Sequence, residues 1–234
     1  MLIGLLWVGQ VVLFAIGLVG PWRDASEHHR NGRVAWPIRM VLSLSLVAAA
    51  LLIWWRGGEA VGPYTRWVAL GMTASFAGDL IMARLIRLPN RLIGGMAAFG
   101  LAHACYITGY VQTIRGGGAV VGNAGLWAGL VFYMLATLSA WALLIRNRER
   151  PAIVNVGALL YGLWIGVMAS TALALAVGLG GGWWLAAAGG LCFVASDFLI
   201  GMTDIGGVPL RHANDWIWLT YLAGQMGIIY AAWM

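Results

Sequence analysis

The sequence predicts an all-α integral membrane protein, with about eight transmembrane helices packed in a bundle as a single polytopic domain. Three observations carry this. The chain of 234 residues is 62% hydrophobic and only 9% charged. Its apolar residues come in runs of about twenty, the length that crosses a hydrocarbon core of roughly 30 Å at about 1.5 Å per helical residue. The runs are not amphipathic stripes, and in lipid the backbone groups must be satisfied within a helix or a closed barrel. What remains between the runs is too short for a soluble domain.

The spans follow in order. The first is Leu2 to Gly20, which lacks a basic leader region and a small-residue cleavage site and is expected to be retained. A polar loop from Trp22 to Trp36 follows, carrying Asp24, Glu27, His28 and His29. The second span is Ile38 to Trp55. Gly57, Gly58 and Pro63 break the chain before the third, Arg66 to Ala83. Arg84, Arg87, Pro89, Asn90 and Arg91 make the next turn. The fourth span, Ile93 to Thr113, runs into a glycine turn at Gly116 to Gly118, and the fifth, Asn123 to Ile145, ends in the basic stretch from Arg146 to Pro151. The sixth is Ala152 to Val177, the seventh Trp183 to Gly201 and the eighth Asp215 to Met234.

The net charge of +6 comes entirely from arginine: all 14 basic residues are Arg. With Arg39 counted at the first loop, eleven of them fall at the loops after spans one, three, five and seven, and three at the other loops. The positive-inside rule then places both termini outside, with the Arg-rich loops in the cytoplasm of a bacterial inner (plasma) membrane. Because the charge serves topology, nucleic acid is not an expected partner; membrane lipids are. Trp22, Trp36, Trp54, Trp55, Trp67, Trp183, Trp184 and Trp216 stand near span ends, as an interfacial belt does. Cys105 and Cys192 fall inside spans and read as small apolar residues.

A short internal repeat is visible. Phe76 to Ile81 (FAGDLI) is similar to Val194 to Ile200 (VASDFLI), with Asp79 and Asp197 118 residues apart. Each lies in the third span of a four-span half, so the halves 1–118 and 119–234 would be parallel repeats about an axis along the membrane normal.

These two aspartates are the acids placed within spans. Asp24, Glu27, Glu59, Glu149 and Asp204 read as solvated loop charge, and Asp215 as the cap of the eighth helix. Ser75 is one helical turn before Asp79 and is expected to bond it. Phe99, His103, Tyr106 and Tyr110 form one stripe of the fourth span; Trp218, Tyr221 and Gln225 form another in the eighth. Two carboxyl groups facing one desolvated cavity cannot both stay ionised cheaply, so one keeps a proton while its partner is charged, and an acid and a base stand together. The alternative is structural: each Asp neutralised by a group such as Arg84, or bonded between helices. His103 is either a site member or a satisfied interhelical donor, and Tyr106, Tyr221 and Gln225 either line the site or bridge helices.

Other chemistries find no support. There is no G-x-S-x-G elbow, no H-E-x-x-H and no cysteine cluster. His28 and His29 are adjacent and cannot share a helix face, so no metal site and no cofactor are expected. Asp79 to Arg84 faintly resembles the opening of the membrane CDP-alcohol phosphotransferase signature, but no further acid follows until Glu149 to complete it.

At Gly78-Asp79-Leu80, His103 with Tyr106, and Ser196-Asp197-Phe198-Leu199, the chain resembles the YhhN family of eight-span membrane proteins, which includes the lysoplasmalogenases; Tyr161, Tyr221 and Gln225 also look like family positions. The resemblance implies a hydrolase of lipid metabolism that cleaves the vinyl-ether bond of a lysophospholipid, a lysoplasmenyl-ethanolamine or -choline (a lysoplasmalogen), to a fatty aldehyde and a glycerophospho-base. It implies Asp79 and Asp197 as the catalytic pair, with Ser75, His103, Tyr106, Tyr161, Tyr221 and Gln225 around the substrate. Arg84, Arg87 and Arg91 either hold its phosphate or only set topology. The alternative class is a transporter or lipid-binding protein that uses the Asp pair for proton coupling.

Overall fold

Proline and asparagine set where the helices begin. Pro37 and Pro63 occupy first-turn positions, where a missing N–H costs nothing. Asn90 and Asn123 each accept two amide bonds at a helix start, Asn90 from Leu92 and Ile93 at 3.1 and 3.2 Å, Asn123 from Gly125 and Leu126 at 2.9 and 3.2 Å. The computed structural model describes residues 1–20, 32–58 and 61–233, and among these it contains eight α-helices and no strand. They are α1 (Leu2–Val19), α2 (Trp36–Arg56), α3 (Gly62–Met82), α4 (Arg91–Gly116), α5 (Ala124–Ala140), α6 (Ala152–Leu179), α7 (Trp183–Ile200) and α8 (Ala213–Tyr230). Short π-helical turns, Trp141–Ile145 and Gly201–Ile205, prolong α5 and α7. The predicted Trp22, Asp24, Glu27, His28, His29 and Glu59 lie outside the described residues.

Six helices, α1, α2, α4, α5, α6 and α7 with their extensions, are long and apolar enough to cross a membrane. This is a membrane protein of helical class. α3 and α8 fall short of that measure because of the polar residues they bring into the bundle. They carry Ser75 and Asp79, and Asp215, Tyr221 and Gln225, all buried against protein. A helix walled by its neighbours need not present an apolar surface to lipid.

The inner helices form a ring. α2 packs on α3, α3 on α4, α4 on α6, α6 on α7, α7 on α8, and α8 returns to α2. α1 lies outside against α2, and α5 outside against α6. Close approach within the ring depends on glycine. A Cβ at Gly189 on α7 would sit 2.6 Å from the Gly224 carbonyl oxygen of α8, and one at Gly71 on α3 would meet the Tyr106 ring of α4 at 2.3 Å. Where apolar burial supplies no drive between helices, such small-residue seams let van der Waals contact do so.

Three acid and base assignments change. Asp215 does not cap its own helix. Its Oδ1 accepts from the Arg33 and Val34 amides at 2.7 and 3.1 Å, tying the start of α2 to the start of α8. Asp204 is not solvated: its side chain is 6% exposed and pairs with Arg91 at 3.4 Å. The π-turn brings it inward, because one extra residue rotates the face it presents. Arg39 is not a loop charge but is buried on α2, with its guanidinium 5.9 Å from the centre of the Trp218 ring. Glu149 is exposed as expected. Of the tryptophans expected at span ends, Trp36, Trp54, Trp55, Trp184 and Trp216 are exposed, whereas Trp183 packs on Tyr64 with ring centres 4.8 Å apart. Cys105 and Cys192 are both free thiols.

Candidate active site

α3 and α7 each carry an aspartate in the last turn, and each carboxylate is held by hydroxyls from neighbouring helices. Asp79 Oδ2 accepts from Ser43 Oγ of α2 at 2.5 Å and from Tyr221 OH of α8 at 2.7 Å. Arg39, one turn before Ser43 on α2, is buried as well. Asp197 Oδ2 accepts from Tyr161 OH of α6. A phenol has one proton, and Tyr161 gives it to Asp197. His103 Nε2 of α4, 3.1 Å from the Tyr161 oxygen, is therefore the donor in that pair, so that imidazole, phenol and carboxylate form a directed chain. Nδ1 of the same ring is buried without a partner among the described residues.

A third polar cluster links α3, α4 and α8. Tyr106 OH of α4 donates to Gln225 Oε1 of α8 at 2.9 Å, and Ser75 Oγ of α3 is 3.4 Å from the Tyr106 hydroxyl. Ser75 thus serves Tyr106, and Ser43 takes the place expected of it at Asp79. Arg84 is exposed at the end of α3 and does not neutralise Asp79. Phe193 of α7 fills the centre, with ring centres 4.9 Å from His103, 5.5 Å from Tyr221 and 6.3 Å from Phe99.

Beside this layer lies an apolar cavity of about 300 Å³ between α4, α5, α6 and α7, walled by Met96, Phe99, Phe132 and Trp141 among others. Asp197 and Tyr161 are the predicted site residues on its wall. Asp79, Ser75, His103, Tyr106, Tyr221 and Gln225 are not part of that wall and pack behind it, all buried. The two carboxylates therefore do not both face the cavity. Asp79 lines none of that cavity, and on its side of the bundle the buried Arg39 and Trp218 stand together, guanidinium to ring centre 5.9 Å.

The offset between the aspartates recurs across these contacts. Moving 118 residues along the chain takes Ser43 to Tyr161 and His103 to Tyr221, so each Asp is bonded by the residue at the same place on the preceding inner helix. It takes the Gly71–Tyr106 approach to Gly189–Gly224, Gly109 against Trp67 to Gly227 against Leu185, and Gly78 against Phe99 to the Ser196–Ile217 hydrogen bond. Sequence reasoning missed Ser43 and Arg39. The offset was the signal that finds Ser43, since subtracting it from Tyr161 lands there.

A search of the curated proteins and a search of the solved structures each returned no match to this chain. The YhhN family model matches residues 34–232, which include both aspartates, the hydroxyls that hold them and the whole inner ring. The chain belongs to the YhhN family.

Proposed function

We propose that this protein is a membrane hydrolase that cleaves the vinyl-ether bond of lysoplasmenyl-ethanolamine or lysoplasmenyl-choline, with all eight helices spanning the bilayer as two parallel halves, 1–118 and 119–234, and both termini outside a bacterial plasma membrane. Family membership is consistent with a hydrolase. The observation that carries the reading is Asp197: a carboxylate bonded through one oxygen to Tyr161 and standing on the wall of an otherwise apolar cavity sized for part of a lipid chain. The matched contacts at one offset support the parallel halves.

In this reading Asp197 is the group that touches substrate. Carrying its proton on Oδ1 while Oδ2 accepts from Tyr161, it protonates the outer alkene carbon of the vinyl ether, leaving an oxocarbenium ion and a carboxylate. The new negative charge lies beside the cation and stabilises it in a site with little water. Water then adds to the oxocarbenium carbon and returns a proton to Asp197, giving a hemiacetal. The hemiacetal hydroxyl then gives up its proton as the bond to the glyceryl oxygen breaks and that oxygen takes up one, so the chain departs as aldehyde and the glycerophospho-base as alcohol. Tyr161 and His103 hold the carboxylate in place. Asp79, fixed by Ser43 and Tyr221, is a positioning residue whose charge acts across the aromatic layer.

The test is aldehyde release from lysoplasmenyl-ethanolamine by the purified protein in detergent. Asp197→Asn is expected to lose about a hundredfold or more in kcat, the range of general acid catalysis, and Asp79→Asn to lose less with KM unchanged. Lipid binding without turnover by the wild-type protein would reject the hydrolase and favour a transporter or binding protein.

A further inference from the structure

Next to the apolar cavity, at the Arg-rich end of the bundle, lies a second hollow of about 870 Å³ whose polar lining comes from three turns far apart in sequence. Arg84, Arg87, Asn90 and Arg91 belong to the α3–α4 turn, Arg150 to the α5–α6 turn and Asp204 to the π-turn after α7. Four arginines and one aspartate meet there. Asp204 is largely buried and faces Arg91 at 3.4 Å, while its carbonyl accepts from Arg150 Nη2 at 3.1 Å. Arg84 and Arg87 have no acidic partner among the described residues.

The turn that places Arg84 is unusual. After α3, the Leu85 amide bonds the Leu80 carbonyl at 2.9 Å and the Arg84 amide bonds that of Ile81 at 3.0 Å, which is the Schellman arrangement. The position between them takes left-handed backbone, φ 61° at Arg84, where glycine is the usual residue. Topology asks only for positive charge somewhere in the loop. It does not account for an arginine at a glycine position, nor for convergence of Arg84, Arg87 and Arg150 on one concavity.

The hollow and the cavity are neighbours. Leu92 lines both, and Ile205 of the cavity adjoins Asp204 of the hollow in sequence. From Asp197 to Asp204 is about two turns of α7 and its extension, roughly 10 Å along the axis. We infer that this basic hollow is the phosphate site for a single-chain phospholipid whose hydrocarbon chain occupies the apolar cavity, with Arg84, Arg87 and Arg150 as the cations that bind the phosphate. The inference rests on reading the cavity as a lysolipid site. It adds the residues that select a phosphorylated headgroup over an uncharged glyceryl one. Arginine suits a phosphate because its planar fork bonds two oxygens at once.

The experiment measures binding, so it does not depend on cleavage. A saturated 1-O-alkyl lysophosphoethanolamine, which has no vinyl ether or ester to hydrolyse, is compared with the 1-O-alkylglycerol of the same chain by equilibrium binding to the purified protein in uncharged detergent. Arg84→Gly removes the charge while giving the left-handed position its preferred residue, so loss of fold is not its expected effect. Arg84→Gly and Arg87→Gln are each expected to weaken the phospholipid about tenfold and leave the alkylglycerol unchanged. Arg148→Gln, which removes an exposed charge of the α5–α6 turn outside the hollow, is expected to change neither. Equal weakening of both lipids, or as large a loss from Arg148→Gln, would overturn the inference. So would inorganic phosphate binding as tightly as the phospholipid, because the site would then serve the free anion. If these binding results hold while lysoplasmenyl-ethanolamine yields no aldehyde, the headgroup site stands and the vinyl-ether reaction falls.

Discussion

Tyr161 is where the chemistry of the candidate site can be interrogated most sharply, because a single hydroxyl serves two partners. Tyr161→Phe keeps the ring on the cavity wall and removes only that oxygen. Asp197 loses the bond that fixes Oδ2, and His103 Nε2 loses its acceptor. The costs differ with surroundings. His103 is fully buried, so its N–H is left unsatisfied, at about 1–3 kcal/mol. Asp197 borders the cavity, where water or substrate can replace the phenol, so its loss falls on orientation more than on stability. The folded state is thus expected to lose about 1–3 kcal/mol, and kcat for aldehyde release to fall by about tenfold to a hundredfold with KM little changed. Adding His103→Leu removes the stranded N–H. The double variant should therefore melt higher than the sum of the two single losses predicts, since it deletes both partners of one bond. Thermal unfolding in detergent, followed alongside the aldehyde assay, reads both quantities. Strict additivity of the two stability losses, or a Tyr161→Phe protein with wild-type kcat, would refute the proposed chain from imidazole to carboxylate.

Two further outcomes test the framework around the site. Gly224→Ala should destabilise the protein by about 1–3 kcal/mol through overpacking, because its Cβ would lie 2.9 Å from the Phe193 nitrogen and 3.0 Å from the Gly189 oxygen; Gly100→Ala, with nothing within 4 Å of its Cβ, should melt no lower than wild type. A Gly224→Ala melt equal to that of Gly100→Ala would remove the α7–α8 seam from the account. Asp215→Ala should cost about 2–4 kcal/mol, since it strands the Arg33 and Val34 amides beneath a carboxylate only 8% exposed. Asp215→Asn, which keeps an accepting oxygen, should lose less than half of that, and limited proteolysis ahead of α2 should separate the two variants.

Hydropathy alone made the helical class legible, because a backbone in lipid has almost no other way to satisfy its polar groups. The same logic singled out Asp79 and Asp197, since carboxyls are too costly among apolar runs to stand there without a reason. Partnership was another matter. Ser75 shares a helix face with Asp79, but Asp79 is bonded by Ser43 from α2, because which neighbouring helix packs against the carboxylate is decided by tertiary packing and not by spacing along one helix. Asp215 looked like a local cap for want of any sign that the Arg33–Val34 backbone passes beside it. Arg39 reads as a topology signal in the sequence, but the fold buries it on α2 against Trp218.

What the sequence by itself determined was the class of fold, the near positions of eight helices and the repeat that pairs the two aspartates. Those features depend on local composition and on spacing, which a chain carries with it. The tertiary structure decided that the aspartates are unequal. Asp197 borders an apolar cavity, while Asp79 lies off its wall, buried under hydroxyls from α2 and α8. A cavity is a property of what surrounding helices fail to fill, and no single stretch of sequence states it.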